Sequence, residues 1–118
     1  MIVIDSNDVA AEETSDEIVG KGPVMRKALI DAKDTGGYGI LLVTFKPGAK
    51  LNFHTHTFEQ ILYVTEGKGI VATKDEEKIV TPGTVVFIQP GEVHWHGATN
   101  DSSFSHIAIQ KPGIKLAE

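Results

Sequence analysis

Residues 48–67 read Gly48-Ala49-Lys50-Leu51-Asn52-Phe53-His54-Thr55-His56-Thr57-Phe58-Glu59-Gln60-Ile61-Leu62-Tyr63-Val64-Thr65-Glu66-Gly67. No helical period runs through this stretch. It reads instead as two short strands, Leu51–His56 and Glu59–Thr65, joined by a Thr57-Phe58 kink and bounded by glycines. Residues two apart on a strand share a face, so His54 and His56 point the same way. Gln60 follows four residues after His56, beyond the kink, and alternation turns its neighbour Glu59 to the opposite face.

The same reading extends outward in both directions. Upstream lie Val24–Asp31, a turn at Asp34-Thr35-Gly36-Gly37, and the apolar run Tyr38–Phe45. Downstream come Ile70–Lys74, Lys78–Val80, Val85–Ile88, Val93–Gly97 and Phe104–Gln110, each set off by Gly, Pro, Asp or Asn. About 9–10 short strands at regular spacing predict an all-β sandwich or barrel. The segment Ile2–Ile4 is expected to be a first strand, and Asp8–Val19 is the best helix candidate. With 118 residues the chain is expected to be a single domain, 1–118. Residues 1–20 would form an N-terminal strand plus acidic segment, and residues 21–112 the barrel core.

Composition removes several function classes. Net charge is −5, and residues 1–20 hold six acids with no Lys or Arg. Such a chain is ill suited to a phosphate backbone, and no nucleic-acid partner is expected. The absence of cysteine excludes disulfides, thiolate metal sites and cysteine nucleophiles. No run approaches the ~20 apolar residues that span a bilayer. The start lacks a basic leader region, so a cytoplasmic protein without membrane contact is expected. Thr35-Gly36-Gly37-Tyr38-Gly39 opens no helix and carries no Lys-Ser or Lys-Thr, so it is not a phosphate loop. Ser102, Ser103 and Ser105 lack the context of a nucleophilic serine.

All five histidines fall after residue 53: His54, His56, His94, His96 and His106. Two His-x-His pairs aim their imidazoles in common directions. Together with a side-chain amide they offer the nitrogen and oxygen donors that Zn, Mn, Fe, Ni or Cu accept. Trp95, between His94 and His96, must face the other way and is expected in outer packing. Phe45, Phe53, Phe58, Leu62, Tyr63, Phe87 and Ile88 are expected in the core or a cavity wall, mostly the core.

Two segments resemble the paired motifs of the cupin superfamily. Residues 48–67 match Gly, five residues, His-x-His, three residues, an acidic or amide residue, six residues, Gly. Gly83-Thr84-Val85-Val86-Phe87-Ile88-Gln89-Pro90-Gly91-Glu92-Val93-His94 is similar to the second motif, Gly followed by Pro-Gly-x-x-His. The resemblance implies a cupin jelly-roll β-barrel holding one divalent transition metal per subunit. The ligands it implies are His54, His56, Gln60 and His94, with Gln60 standing where most cupins have Glu. His94-Trp95-His96-Gly97-Ala98 and Ser105-His106-Ile107-Ala108-Ile109-Gln110 look like small single-domain cupins. These include hydroxynitrile lyases and the cupin domains associated with carboxymuconolactone decarboxylases. That narrower likeness implies manganese or iron ahead of zinc or nickel, with His96 and His106 handling protons. At Thr57-Phe58-Glu59 the chain departs from those relatives, which commonly carry Pro, an apolar residue and Gly.

The expected function is a small-molecule metalloenzyme of lyase or isomerase type, with the metal as Lewis acid and His106 and His96 as the catalytic acid–base pair. The alternatives are an Fe-dependent dioxygenase or a non-catalytic module binding metal or small ligand. Small cupins are usually homodimers, and Ile2–Ile4 is expected to add to a neighbouring sheet edge.

Overall fold

The computed structural model describes residues 1–117; Glu118, the last residue of the expected domain, lies outside the described residues. Among the described residues, thirteen strands alternate with short turns: β1 (Glu12–Glu13), β2 (Val19–Lys21), β3 (Val24–Ile30), β4 (Gly39–Phe45), β5 (Lys50–Leu51), β6 (His54–His56), β7 (Gln60–Gly67), β8 (Gly69–Thr73), β9 (Glu77–Val80), β10 (Val85–Ile88), β11 (His94–Ala98), β12 (Phe104–Gln110) and β13 (Ile114–Leu116). They form two antiparallel sheets. One runs β1-β3-β4-β12-β7-β10; the other runs β13-β6-β11-β5-β2, with β8 bridging β11 to β9. This is the expected all-β jelly-roll.

Alternation along the strands sets the inside and the outside. On β12, Phe104, His106 and Ala108 are buried, while Ile107 and Ile109 face outward. On β7, Gln60, Leu62 and Val64 point inward. Val24, Phe45, Ala49, Leu51, Val64, Val80, Ala98 and Phe104 fill one part of the interior; Leu62, Ile88 and Ala108 form a smaller cluster. Phe45 and Phe104 stack with ring centroids 5.7 Å apart. Gly67 turns β7 into β8 with φ +73°, and a Cβ there would sit 1.8 Å from the Ser103 carbonyl oxygen, so only glycine fits.

The N-terminal expectations are overturned. Residues 2–4 form no strand: they have no ladder partner among the described residues and are solvent-exposed. Asp8–Val19 is not a helix. Ser6–Asp8 makes a single 3-10 turn whose cap, the Asp5 carboxylate, accepts from the Asn7 N–H. Asp16 likewise captures the Ile18 N–H, and Glu12–Glu13 pairs with Met25 and Arg26 on β3. Asp side chains that bond nearby backbone compete with helix, and the open edge of β3 offers a ladder instead.

The strand count exceeds the expected 9–10 because one run is cut in two and β1, β2 and β13 are added. Leu51–His56 breaks at Asn52-Phe53, where the Asn52 N–H donates to the Ile18 carbonyl. β13 lies beyond residue 112, yet pairs with β6 from Ile114↔His56 to Leu116↔His54. Pro112-Gly113 is a turn into this strand, not the end of regular structure.

Phe58, Tyr63 and Phe87 are exposed, against the expectation that they belong mainly to the core. Cross-strand register explains two of them. Leu42, Ile107, Tyr63 and Val85 form one row across β4, β12, β7 and β10, and Ile40, Ile109, Ile61 and Phe87 form the next. Both rows lie on the outer face of the six-stranded sheet. Among the described residues, no helix is long and apolar enough to cross a membrane.

Candidate metal centre and cavity

Three short elements bring the histidines together. β6 presents His54 and His56 on one face with Thr55 between them, and β11 does the same with His94 and His96 around Trp95. His94 pairs with His54 in register, so the two His-x-His units lie side by side. Ligating nitrogens of His54, His56 and His94 all lie within 4.8 Å of one another, and all three residues are buried. The His54 and His94 rings are 4.3 Å apart between centroids, and His56 lies 5.1 Å from His54 and 5.4 Å from His94. From the opposite sheet, β7 places the buried Gln60 with its Oε1 3.3 Å from His94 Nε2.

Backbone carbonyls set the tautomers. His54 Nδ1–H donates to the Asn52 carbonyl and His94 Nδ1–H to the Glu92 carbonyl, each over 2.8 Å. A carbonyl only accepts, so in the neutral rings each Nε2 carries a lone pair. His54 Nε2 and both nitrogens of His56 are buried without a hydrogen-bond partner among the described residues. His94 Nε2 faces the Gln60 oxygen, lone pair toward lone pair. A buried polar atom without a partner is costly, and a cluster of them converging on one point is what a cation resolves. The donor set, three imidazoles and an amide oxygen, therefore fits a divalent transition metal.

Burial keeps these rings neutral. Desolvation lowers the pKa of His54 and His56 to about 4 and also lowers that of His94; the backbone hydrogen bonds of His54 and His94 oppose it only in part. Neutral imidazoles are the form that coordinates metal.

Beside this cluster, His106 on β12 meets His96 on β11. His106 Nε2 and His96 Nδ1 share a hydrogen bond of 3.1 Å. Both rings are fully buried; burial lowers the pKa of His106 to about 4 and holds that of His96 well below the ordinary imidazole value, His106 and the other imidazoles adding repulsion at His96. His96 is not among the three convergent histidines. It stands 5.7 Å from His54 and 5.8 Å from His94, centroid to centroid, and 5.8 Å from Phe45. Glu59 is exposed, and Trp95 faces outward with Lys50 Nζ 4.8 Å from its ring centroid.

His54, His56, Gln60 and the His96–His106 pair line a cavity of about 570 Å³, and His94 is not among its lining residues. Its floor holds His54, His56, Gln60, His96 and His106. Its wall is apolar, from Ile18, Val24, Leu41, Val43, Leu51, Ala108, Ile114 and Leu116, and its rim carries Thr14, Asp16, Glu17, Arg26 and Lys115. A small molecule with a polar end and an apolar body matches that division.

Four contributors were not legible as parts of the site. Gln110, cross-strand partner of Gln60, accepts a hydrogen bond from the Gln60 side-chain nitrogen. A lone glutamine at a strand end carries no motif; only the register between β7 and β12 finds it. The Asn52 and Glu92 carbonyls act through backbone, which residue identity does not encode. The acidic N-terminal segment supplies part of the cavity rim through Asp16 and Glu17.

Comparison with known proteins agrees with this geometry. The family profile described as Cupin domain matches residues 41–109. The chain is 40% identical over 102 residues to an (R)-mandelonitrile lyase of Granulicella tundricola, covering 78% of this chain and 76% of that one. A cupin-like protein of Thermotoga maritima superposes with a TM-score of 0.84 at 32% identity, covering 89% of this chain and 83% of that one. A predicted oxalate decarboxylase from the same organism shares the fold, with a TM-score of 0.84 at 24% identity over 98% of this chain and 100% of that one.

Proposed function

The chain belongs to the cupin-domain family, and from that premise we propose that it is a metal-dependent enzyme of lyase type acting on a small molecule that carries a hydroxyl or carbonyl oxygen. One observation carries the reading. Nitrogens of His54, His56 and His94 converge within 4.8 Å of one another, and the cavity lined by His54 and His56 also takes in a hydrogen-bonded histidine pair, His96 and His106, that is not part of that cluster.

His54, His56, Gln60 and His94 would hold the ion, with manganese or iron favoured over zinc or nickel by the likeness to small lyase-type cupins. A divalent ion bound there supplies Lewis acidity toward a substrate oxygen. His106 and His96 move the proton. In cyanohydrin cleavage the hydroxyl loses its proton, the carbon–cyanide bond breaks, and that proton leaves with cyanide as an aldehyde forms. The neutral imidazole pair accepts the proton at a free ring nitrogen, and the shared hydrogen bond lets one ring take charge while the other stabilises it. Because burial disfavours a charged imidazolium, the pair returns the proton readily to the departing group. The apolar wall holds the body of the substrate and excludes water.

The 40% likeness to an (R)-mandelonitrile lyase makes mandelonitrile the first substrate to test. Metal-loaded protein is expected to release benzaldehyde from it, and His106→Ala to lose that activity while keeping its metal. Metal-loaded wild type that leaves mandelonitrile and related cyanohydrins untouched would overturn the lyase reading.

We further propose that the working form is a homodimer. The support is the pair of apolar rows on the outer face of the six-stranded sheet, together with exposed Met1, Ile2 and Val3. Lys27 Nζ donates to the Ser6 carbonyl over 2.8 Å and ties the N-terminal arm near that face. The rows span four strands, on the order of 300 Å² at normal strand spacing. A stable interface takes about 800 Å² per partner, so the arm must contribute as well as the face.

A further inference from the structure

Gln60 has its oxygen turned toward a lone pair. His94 Nδ1–H donates to the Glu92 carbonyl, so His94 Nε2 is an acceptor, yet the group 3.3 Å away is Gln60 Oε1, also an acceptor. Left to itself, the amide would turn over and donate its NH₂ to His94 Nε2. That arrangement would satisfy both groups and occupy the lone pair of a candidate ligand. What opposes the turn is Gln110: its Oε1 accepts from Gln60 Nε2 on the far side of the same amide. The two glutamines are cross-strand partners on β7 and β12, so the contact is built into the register of the sheet.

We infer that Gln110 is a positioning residue that holds the Gln60 amide with its oxygen toward the imidazole cluster, and so sets the affinity of the site for divalent metal. The inference rests on the metal-centre reading above. The pair has a second arrangement of the same shape, with both amides turned over, in which Gln60 caps His94 and the site is closed to metal. Gln110 decides between the two because its own amide must present oxygen to one and nitrogen to the other. A carboxylate at position 110 can only accept, so it permits the open arrangement alone. An apolar side chain there leaves Gln60 free to cap His94.

The test is a double-mutant cycle read by metal affinity, with Mn(II) and Co(II) titrated against a chromophoric chelator. Gln110→Leu is expected to weaken binding about 10–100-fold, the usual effect of losing a group that orients a ligand. In a Gln60→Glu background the same change should cost less than about 2-fold, because a carboxylate presents oxygen whichever way it turns. Gln110→Glu should bind metal at least as tightly as wild type, and only Gln110→Leu should alter the visible spectrum of the Co(II) form. Far-UV circular dichroism and thermal melting of each variant separate misfolding from a change in affinity. Equal losses in both backgrounds, or no loss in either, would overturn the inference while leaving the metal centre standing. If wild type and Gln60→Glu bind no more metal than His56→Ala, the metal-centre reading fails, and the role of Gln110 falls with it.

Discussion

His106 Nε2 lies 3.1 Å from His96 Nδ1, joining the last long strand to the strand that carries His94. The outer nitrogens, His106 Nδ1 and His96 Nε2, are buried and have no hydrogen-bond partner among the described residues. Whichever ring donates the shared hydrogen bond, one outer nitrogen is left as a donor and the other as an acceptor. The pair is thus ready to take a proton at one end and to offer one at the other.

Removal of this pair is expected to separate binding from turnover. His106→Ala should retain about one metal per chain and lose about 10²–10⁴-fold in kcat on a cleavable cyanohydrin, the usual worth of a positioned acid–base group. Metal analysis alongside steady-state rates checks this. Undiminished turnover in the variant would assign the proton chemistry elsewhere.

Ligand variants are expected to act oppositely on the two neighbours Glu59 and Gln60. His56→Ala should lower metal content well below one per chain. Gln60→Glu should tighten binding, since a carboxylate adds charge attraction to the oxygen donor. Glu59→Gln, altered at an exposed side chain, should change affinity by less than about 2-fold. A large effect at Glu59 with none at Gln60 would mean the register is off by one residue, which exchanges the faces.

The metal-free protein should lose stability as pH falls below 6.5. Its histidines titrate near 6.5 when unfolded, while burial holds His54, His56 and His106 at about 4 in the fold and lowers His94 and His96 as well. Between those values the unfolded chain binds more protons, so stability is fully present above pH 6.5 and is lost as pH falls toward 4. Ordinary carboxylates titrate mainly below pH 5, so the window from 6.5 to 5 isolates the histidines. Melting curves across that window should show a falling Tm, and bound metal should shift the fall to lower pH. A flat Tm from pH 7 to 5 would mean the buried rings are hydrated.

Assembly is expected to depend on the outer sheet face. Phe87 is 60% exposed and Val85 63%. Phe87→Glu should convert a dimer to monomer at micromolar concentration without changing metal content, and deletion of Met1–Ile4 should weaken the dimer. Sedimentation equilibrium reads both. Full-length protein that sediments as a monomer would remove the interface.

Much of this was legible in local sequence. Strand alternation alone put His54 with His56, and His94 with His96, on common faces, and set Glu59 opposite Gln60. It also grouped Phe104, His106 and Ala108. Gly67, Gly83 and Gly91 marked turns, and all three take positive φ. These are consequences of a two-residue period, which acts within a few residues and needs no partner. The N-terminal segment misled because its acidic side chains bond nearby backbone N–H groups, a choice decided by the open edge of β3 and not by periodicity. What only the tertiary structure decided is which faces meet. The register of β11 against β6 places His94 beside His54, the closing of one sheet over the other brings Gln60 to His94, and the pairing of β12 with β7 sets Gln110 behind Gln60. Such contacts join residues up to 50 positions apart in the chain, and they depend on ladder register and sheet packing, which no local pattern encodes.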